Sequence, residues 1–176
     1  MNSPVESFRI GDWIYEKPDY LWLIIDGVVK SYTINTAGKT VILGFWGKQE
    51  IVGKSLSSID PYFLQCSTKV EAISIHMSQA RVFSDMLLNR VEQIQQLSYI
   101  IREPQTKNRL WLLLKWLADK FGREVAEGKL IDFELATQEL ADSIGIDRIE
   151  ANQTIELLKQ EGAISRFKSQ YIVLEH

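Results

Sequence analysis

Thr137-Gln-Glu-Leu-Ala-Asp-Ser-Ile-Gly-Ile-Asp-Arg-Ile-Glu-Ala-Asn-Gln-Thr-Ile-Glu-Leu-Leu158 has the spacing of a helix-turn-helix. Leu140 and Ile144 fall on one helical face, and Ala141 is small where two helices must cross closely. Gly145 can take the left-handed conformation that a Cβ would penalise, and Ile146 is placed to bury the turn. Asp147 is positioned to cap the second helix, with Glu150 completing a D-x-x-E capping pair. Ala151, Ile155 and Leu158 continue the buried face. The opposite face carries Arg148, Ile149, Asn152 and Gln153.

Such a row is what a recognition helix needs, because Arg pairs with guanine and Asn or Gln with adenine on major-groove base edges. The plain alternative is a solvated helix face. The residues beyond this helix favour the first: after Gly162, Ala163-Ile-Ser-Arg-Phe and Gln170-Tyr-Ile-Val-Leu174 read as two short strands whose tip offers Arg166 and Lys168 to phosphates. Thr137, at the head of the first helix, joins this candidate DNA-binding set. Charge argues the other way. Residues 133 to 176 hold four basic and eight acidic side chains, a net of −4, so weak non-specific affinity is expected.

Upstream, Asn108 to Phe121 reads as a helix closed by Gly122, preceded by a hinge near 102–107 and followed by a short strand at Lys129 to Phe133. Pro104 should end the helix before it. That earlier helix begins after Met77, where Ser78 can act as cap. Its Leu87, Val91, Ile94 and Ile101 form a narrow apolar seam flanked by Arg90, Glu92, Gln93, Gln95 and Gln96. The seam suits a helix-to-helix contact in a homodimer; the alternative is packing on the N-terminal domain.

From Trp13 to Ile75 the chain reads as short β-runs between turn signals: Tyr20 to Ile25, Val28 to Ile34, Lys39 to Trp46, Ile51 to Gly53 and Thr68 to Ile75. Asp26-Gly27 and Asn35 to Gly38 are read as hairpin turns. The expected fold class is therefore α+β, with an N-terminal β-sandwich, or β-roll, over 1–78, a dimerisation helix over 79–103 and a winged helix-turn-helix over 104–176.

The 176 residues are 45% hydrophobic with a net charge of −3, which supports real cores but gives no global attraction to nucleic acid. The longest apolar runs are too short to cross a bilayer, the N-terminus does not read as a secretion signal, and Cys66 stands alone, so a reducing cytoplasm is expected. With two histidines, His76 and the terminal His176, no nucleophilic pairing, phosphate-cradling loop or metal cluster can be placed, and an enzyme is not expected. A lone His such as His76 beside an apolar strand is far more often structural than a haem ligand. No cofactor is expected.

In its order of parts the chain resembles the CRP/FNR family of transcription regulators, most closely the NtcA-type nitrogen-control members, in SIGIDRIEANQTIELLKQEGAIS and in DGVVKSYTINTAGKTVILGFW. The resemblance implies a double-stranded β-helix (cyclic-nucleotide-binding-like), a dimer helix, and Arg148 as base-contacting arginine. It also implies double-stranded DNA, a second copy of the chain, RNA polymerase and a small-molecule effector as partners. Ile149 and Gln153 stand where cyclic-AMP-responsive relatives have Glu and Arg, so a different operator is expected. Nucleotide-binding relatives carry a Glu soon after the loop glycine and an Arg further on. Here Lys54 follows Gly53, with no Arg from Lys54 to Ala80, so no cyclic nucleotide is expected. One cysteine cannot hold an iron–sulfur cluster. By resemblance to 2-oxoglutarate-responsive members, Arg90 is an effector contact with Gly53 and Lys54; an inter-subunit ion pair is the alternative. A second alternative for the whole chain is a CRP-like protein-interaction member with little DNA affinity.

Overall fold

A computed structural model describes residues 3–174, the side chains of 80–82 excepted; Glu175 and His176 lie outside the described residues. The chain divides into two compact units, Met1–Gln95 and Gln96–His176.

In the first unit the strands are β1 (Val5–Phe8), β2 (Tyr20–Asp26), β3 (Val29–Ile34), β4 (Thr40–Trp46), β5 (Ile51–Val52), β6 (Phe63–Cys66) and β7 (Val70–His76). They form two antiparallel sheets, in the orders β1-β7-β2-β5 and β4-β3-β6. Alternation drives the layering. Val29, Ser31 and Thr33 of β3 are buried, and Val29 joins a core with Trp22, Ile24, Trp46, Tyr62 and Val70. The one polar demand that Trp46 makes there is met by its Nε1–H donating to Ser31 Oγ at 2.8 Å.

Asp26-Gly27 does not make the expected hairpin. β2 pairs with β5 and β7, while β3 pairs with β4 and β6, so this dipeptide carries the chain from one sheet to the other. Gly27 has φ +90°, and a Cβ there would lie 2.1 Å from the Lys69 carbonyl oxygen; close backbone approach explains the glycine. The Asn35–Gly38 hairpin between β3 and β4 is present, with Asn35 Oδ1 accepting from the Ala37 and Lys39 N–H groups at 3.0 Å each. Strands β1 and β6 had no counterpart in the expected set.

A 3₁₀ segment, Met77–Phe83, leads into α1 (Ser84–Ile101). Ser78 is not its cap. The His76 ring takes that role, Nδ1 accepting from the Ser78 N–H at 3.2 Å, because His76 is the last extended residue and its side chain reaches the orphan donor first.

The second unit holds α2 (Thr106–Phe121), β8 (Gly122–Val125), β9 (Gly128–Ile131), α3 (Thr137–Ile144), α4 (Arg148–Gln160), β10 (Ile164–Phe167) and β11 (Gln170–Leu174). One antiparallel sheet runs β10-β11-β9-β8. Leu110, Leu113, Leu114 and Leu117 of α2 are fully buried, and α2 packs on α3, α4, β9 and β11. Gly122 ends α2 as expected, but in an extended conformation; a Cβ there would lie 2.2 Å from the Ala118 carbonyl oxygen. β8, which the sequence did not suggest, pairs with β9.

Candidate nucleic-acid interface

The two helices α3 and α4 are joined by a turn whose parts are all local. Ala136, at the N-cap of α3, has no polar side chain; Glu139 instead reaches back to accept the Ala136 N–H at 2.9 Å. Gly145 ends α3 at φ 72°, ψ 37°, and the Gly145 and Ile146 N–H groups both donate to the Ala141 carbonyl, at 2.9 and 3.2 Å. Asp147 then caps α4, its Oδ1 accepting from the Glu150 N–H at 2.8 Å. Leu140, Ala141, Ile144, Ala151, Ile155 and Leu158 are buried, which holds the pair in place.

Glu150 departs from its expected capping role. Its Oε1 accepts the Thr106 hydroxyl at 2.8 Å, a charge-assisted bond to the first residue of α2. Beside it, Arg109 donates through Nη1 to the Ile144 carbonyl at the end of α3 at 3.1 Å, and Lys107 pairs with Glu161 after the end of α4 at 2.7 Å. The first turn of α2 thus fastens the end of α3 and both ends of α4. Sequence reading assigned no role to Thr106, Lys107 or Arg109, and no local signal marks them, since their partners lie 35 to 54 residues away.

Arg148, Ile149, Asn152 and Gln153 are all exposed on α4, and Ile149 is 70% exposed. Among the described residues Arg148 has no ion-pair partner. Thr137, the first residue of α3, is half-buried. α4 packs against β10, and the β10–β11 hairpin turns through Lys168 at φ 56°. At this hairpin Arg166 and Lys168 are exposed, their charged ends 5.3 Å from the Tyr171 ring and 5.6 Å from the Phe167 ring. Much of the acidic excess is engaged inside the unit: Glu139 and Asp147 in caps, Asp142 with Gln138, Glu156 with Lys159 and Glu161 with Lys107.

The residues expected at an effector site are committed elsewhere. Gly53 sits at φ 157°, where a Cβ would meet Leu21 Cδ2 at 2.9 Å. Lys54 opens a 3₁₀ turn, and its Nζ donates to the Ile59 carbonyl and, at 3.1 Å, to Asp60 Oδ1. Arg90 is buried; Nη1 donates to the Ile51 carbonyl at 3.1 Å and the guanidinium lies 3.9 Å from the Trp46 ring centre. Arg90 and Gln93, expected to flank the α1 seam, instead belong to its packed face, Gln93 donating to Glu50. Of the seam itself, Val91, Ile94 and Ile101 are exposed, as are Leu88 and Tyr99, while Leu87 packs against a cluster around Leu21 and Phe83.

His76 Nδ1 lies 2.7 Å from Ser78 Oγ, and the Cys66 thiol is pushed up to about 12 by burial and by the Asp12 carboxylate, which keeps it from acting as a thiolate. Among the described residues no group of three or more His, Cys, Asp or Glu could hold a metal ion, and no helix is long and apolar enough to cross a membrane.

No family model matches the chain. It is 31% identical over 149 residues to the regulatory protein CysR of Synechococcus elongatus, a match covering 83% of this chain and 72% of CysR. Among solved structures it is similar to two transcriptional regulators of Thermus thermophilus. One is of the CRP family, with TM-score 0.83 and 15% identity over 97% of this chain and 92% of that one. The other is of the CRP/FNR family, with TM-score 0.80 and 19% identity over 98% and 94%. The structures carry the fold, and the relation to CysR carries common descent of the sequence. This chain belongs to the CRP/FNR family of DNA-binding transcription regulators.

Proposed function

We propose that the protein is a homodimer that binds double-stranded DNA sequence-specifically, α4 entering the major groove. The observation that carries this is the exposed row Arg148, Ile149, Asn152 and Gln153 on a helix fixed at its start by Gly145 and Asp147. Arg148 reads a base, and Asn152 and Gln153 support it. Thr137, Arg166 and Lys168 serve phosphates. Dimerisation uses the exposed apolar side of α1, and the parts from 1–78, 79–103 and 104–176 act as sensor-like domain, dimer helix and DNA-binding domain. Within the family we assign the chain to the NtcA-like, nitrogen-control type, on the stretch from Asn108 to Ile164, and RNA polymerase is the partner through which it acts on transcription.

Cyclic nucleotides are not its effector. Lys54 and Arg90, the cations nearest to such a role, already hold Asp60 and the Ile51 carbonyl, so an anionic effector would first have to displace Asp60. The test of the main proposal is competition binding between a selected duplex and a scrambled one. Arg148→Ala is expected to lose sequence preference by about 1–3 kcal/mol, the worth of a bidentate base contact; unchanged preference refutes Arg148 as reader. The acidic excess of residues 133 to 176 favours a second reading, a co-regulator with little DNA affinity. A mobility-shift titration at low salt separates the two, because a protein without phosphate contacts forms no salt-dependent complex.

A further inference from the structure

At 3.6 residues per turn, Arg148 and Asn152 lie to one side of the exposed face of α4 and Gln153 to the other, with Ile149 between them in the first turn. Ile149 therefore stands at the middle of the end of the helix that leads into a groove. It is 70% exposed and is apolar where its neighbours are charged or amide-bearing. An isolated exposed isoleucine needs no explanation on most surfaces. Here its own helix buries Ala151, Ile155 and Leu158 on the other side, so Ile149 stands apart from the face that packs.

On a major-groove floor the only apolar group is the thymine 5-methyl; every other edge offers a donor or an acceptor that an isoleucine would leave unpaired. We infer that Ile149 is a specificity-determining residue that selects a thymine by packing on its 5-methyl group. This rests on the proposal that α4 reads DNA. It predicts attraction to one thymine in each half-site and discrimination against cytosine there, whose amino group would lose its water against the side chain.

The experiment uses the full chain and a duplex that the protein itself selects from a randomised pool, with each thymine replaced singly by uracil, which removes only the methyl. The wild-type protein is expected to bind one uracil duplex per half-site about fourfold more weakly, the worth of one apolar carbon. Ile149→Ala is expected to bind that duplex and its thymine parent equally. If the wild-type protein selects a sequence but tolerates uracil everywhere, or if Ile149→Ala still discriminates, the assignment to Ile149 is overturned while DNA reading by α4 stands. Failure to select any sequence overturns both.

Discussion

Gly27 and Gly145 both adopt positive φ, +90° and +72°, yet a side chain would meet different surroundings at the two sites. At Gly145 nothing lies within 4 Å of an added Cβ, so Gly145→Ala carries only the backbone penalty, about 1–2 kcal/mol. At Gly27 the Cβ would collide with backbone of residues 69 and 70, and Gly27→Ala is expected to cost at least about 3 kcal/mol. Urea denaturation of the two variants checks the order; equal losses would show that the crossing between sheets is looser than the close approach of Gly27 to Lys69 implies. Sequence alone exposed the role of Gly145, because its turn is written in adjacent residues. The role of Gly27 escaped it, because the colliding carbonyl belongs to Lys69, far along the chain.

Cys66 gives the pH prediction at the same scale. Its thiol is raised from 9.0 to about 12 by burial and then by Asp12, so the folded state holds this proton more tightly than the unfolded chain. The stability that it contributes is full below pH 9 and lost as pH rises toward 12. Denaturation midpoints of the wild-type protein should therefore fall more steeply across that window than those of Cys66→Ala, and parallel slopes would contradict the burial of the thiol.

Among the elements, α1 is the one with two incompatible faces. Arg90, Gln93, Leu97 and Ile100 belong to its packed side, whereas Leu88, Val91, Ile94, Tyr99 and Ile101 stay exposed. Several large apolar side chains exposed on one helix are what an interaction surface presents, and the proposed dimer contact uses them. The double variant Val91→Glu, Ile94→Lys is expected to sediment as a monomer with unchanged helix content, and an intact dimer would move the contact elsewhere. The apolar period was legible in the sequence; that Arg90 turns inward onto Trp46 was not, because a flanking cation and a buried one have the same helical position until the neighbouring strand is known. Strand pairing had the same limit. β2 to β4 were legible from their alternation, but Asp26-Gly27 signals a turn without saying that β2 will pair with β7, and β1, β6 and β8 are only four residues each.

For the whole molecule, the order of parts was the most legible feature, since each part carries its own local signature. Of the candidate interface, the exposed row on α4 and the Arg166 and Lys168 hairpin were legible; the bonds from Thr106, Lys107 and Arg109 that hold the helix pair depend on tertiary contact. A net charge of −3 leaves little general attraction to phosphate, and the proposed dimer would answer this by bringing two α4 helices to one duplex. Selection of bound duplexes from a randomised pool measures this directly. The enriched sequences are expected to be two-fold symmetric, with half-sites centred about 10–10.5 base pairs apart, and to lose their enrichment with Arg148→Ala. A pool that returns unenriched, or enriches a single unsymmetrical site unaffected by Arg148→Ala, would contradict reading of DNA by paired α4 helices.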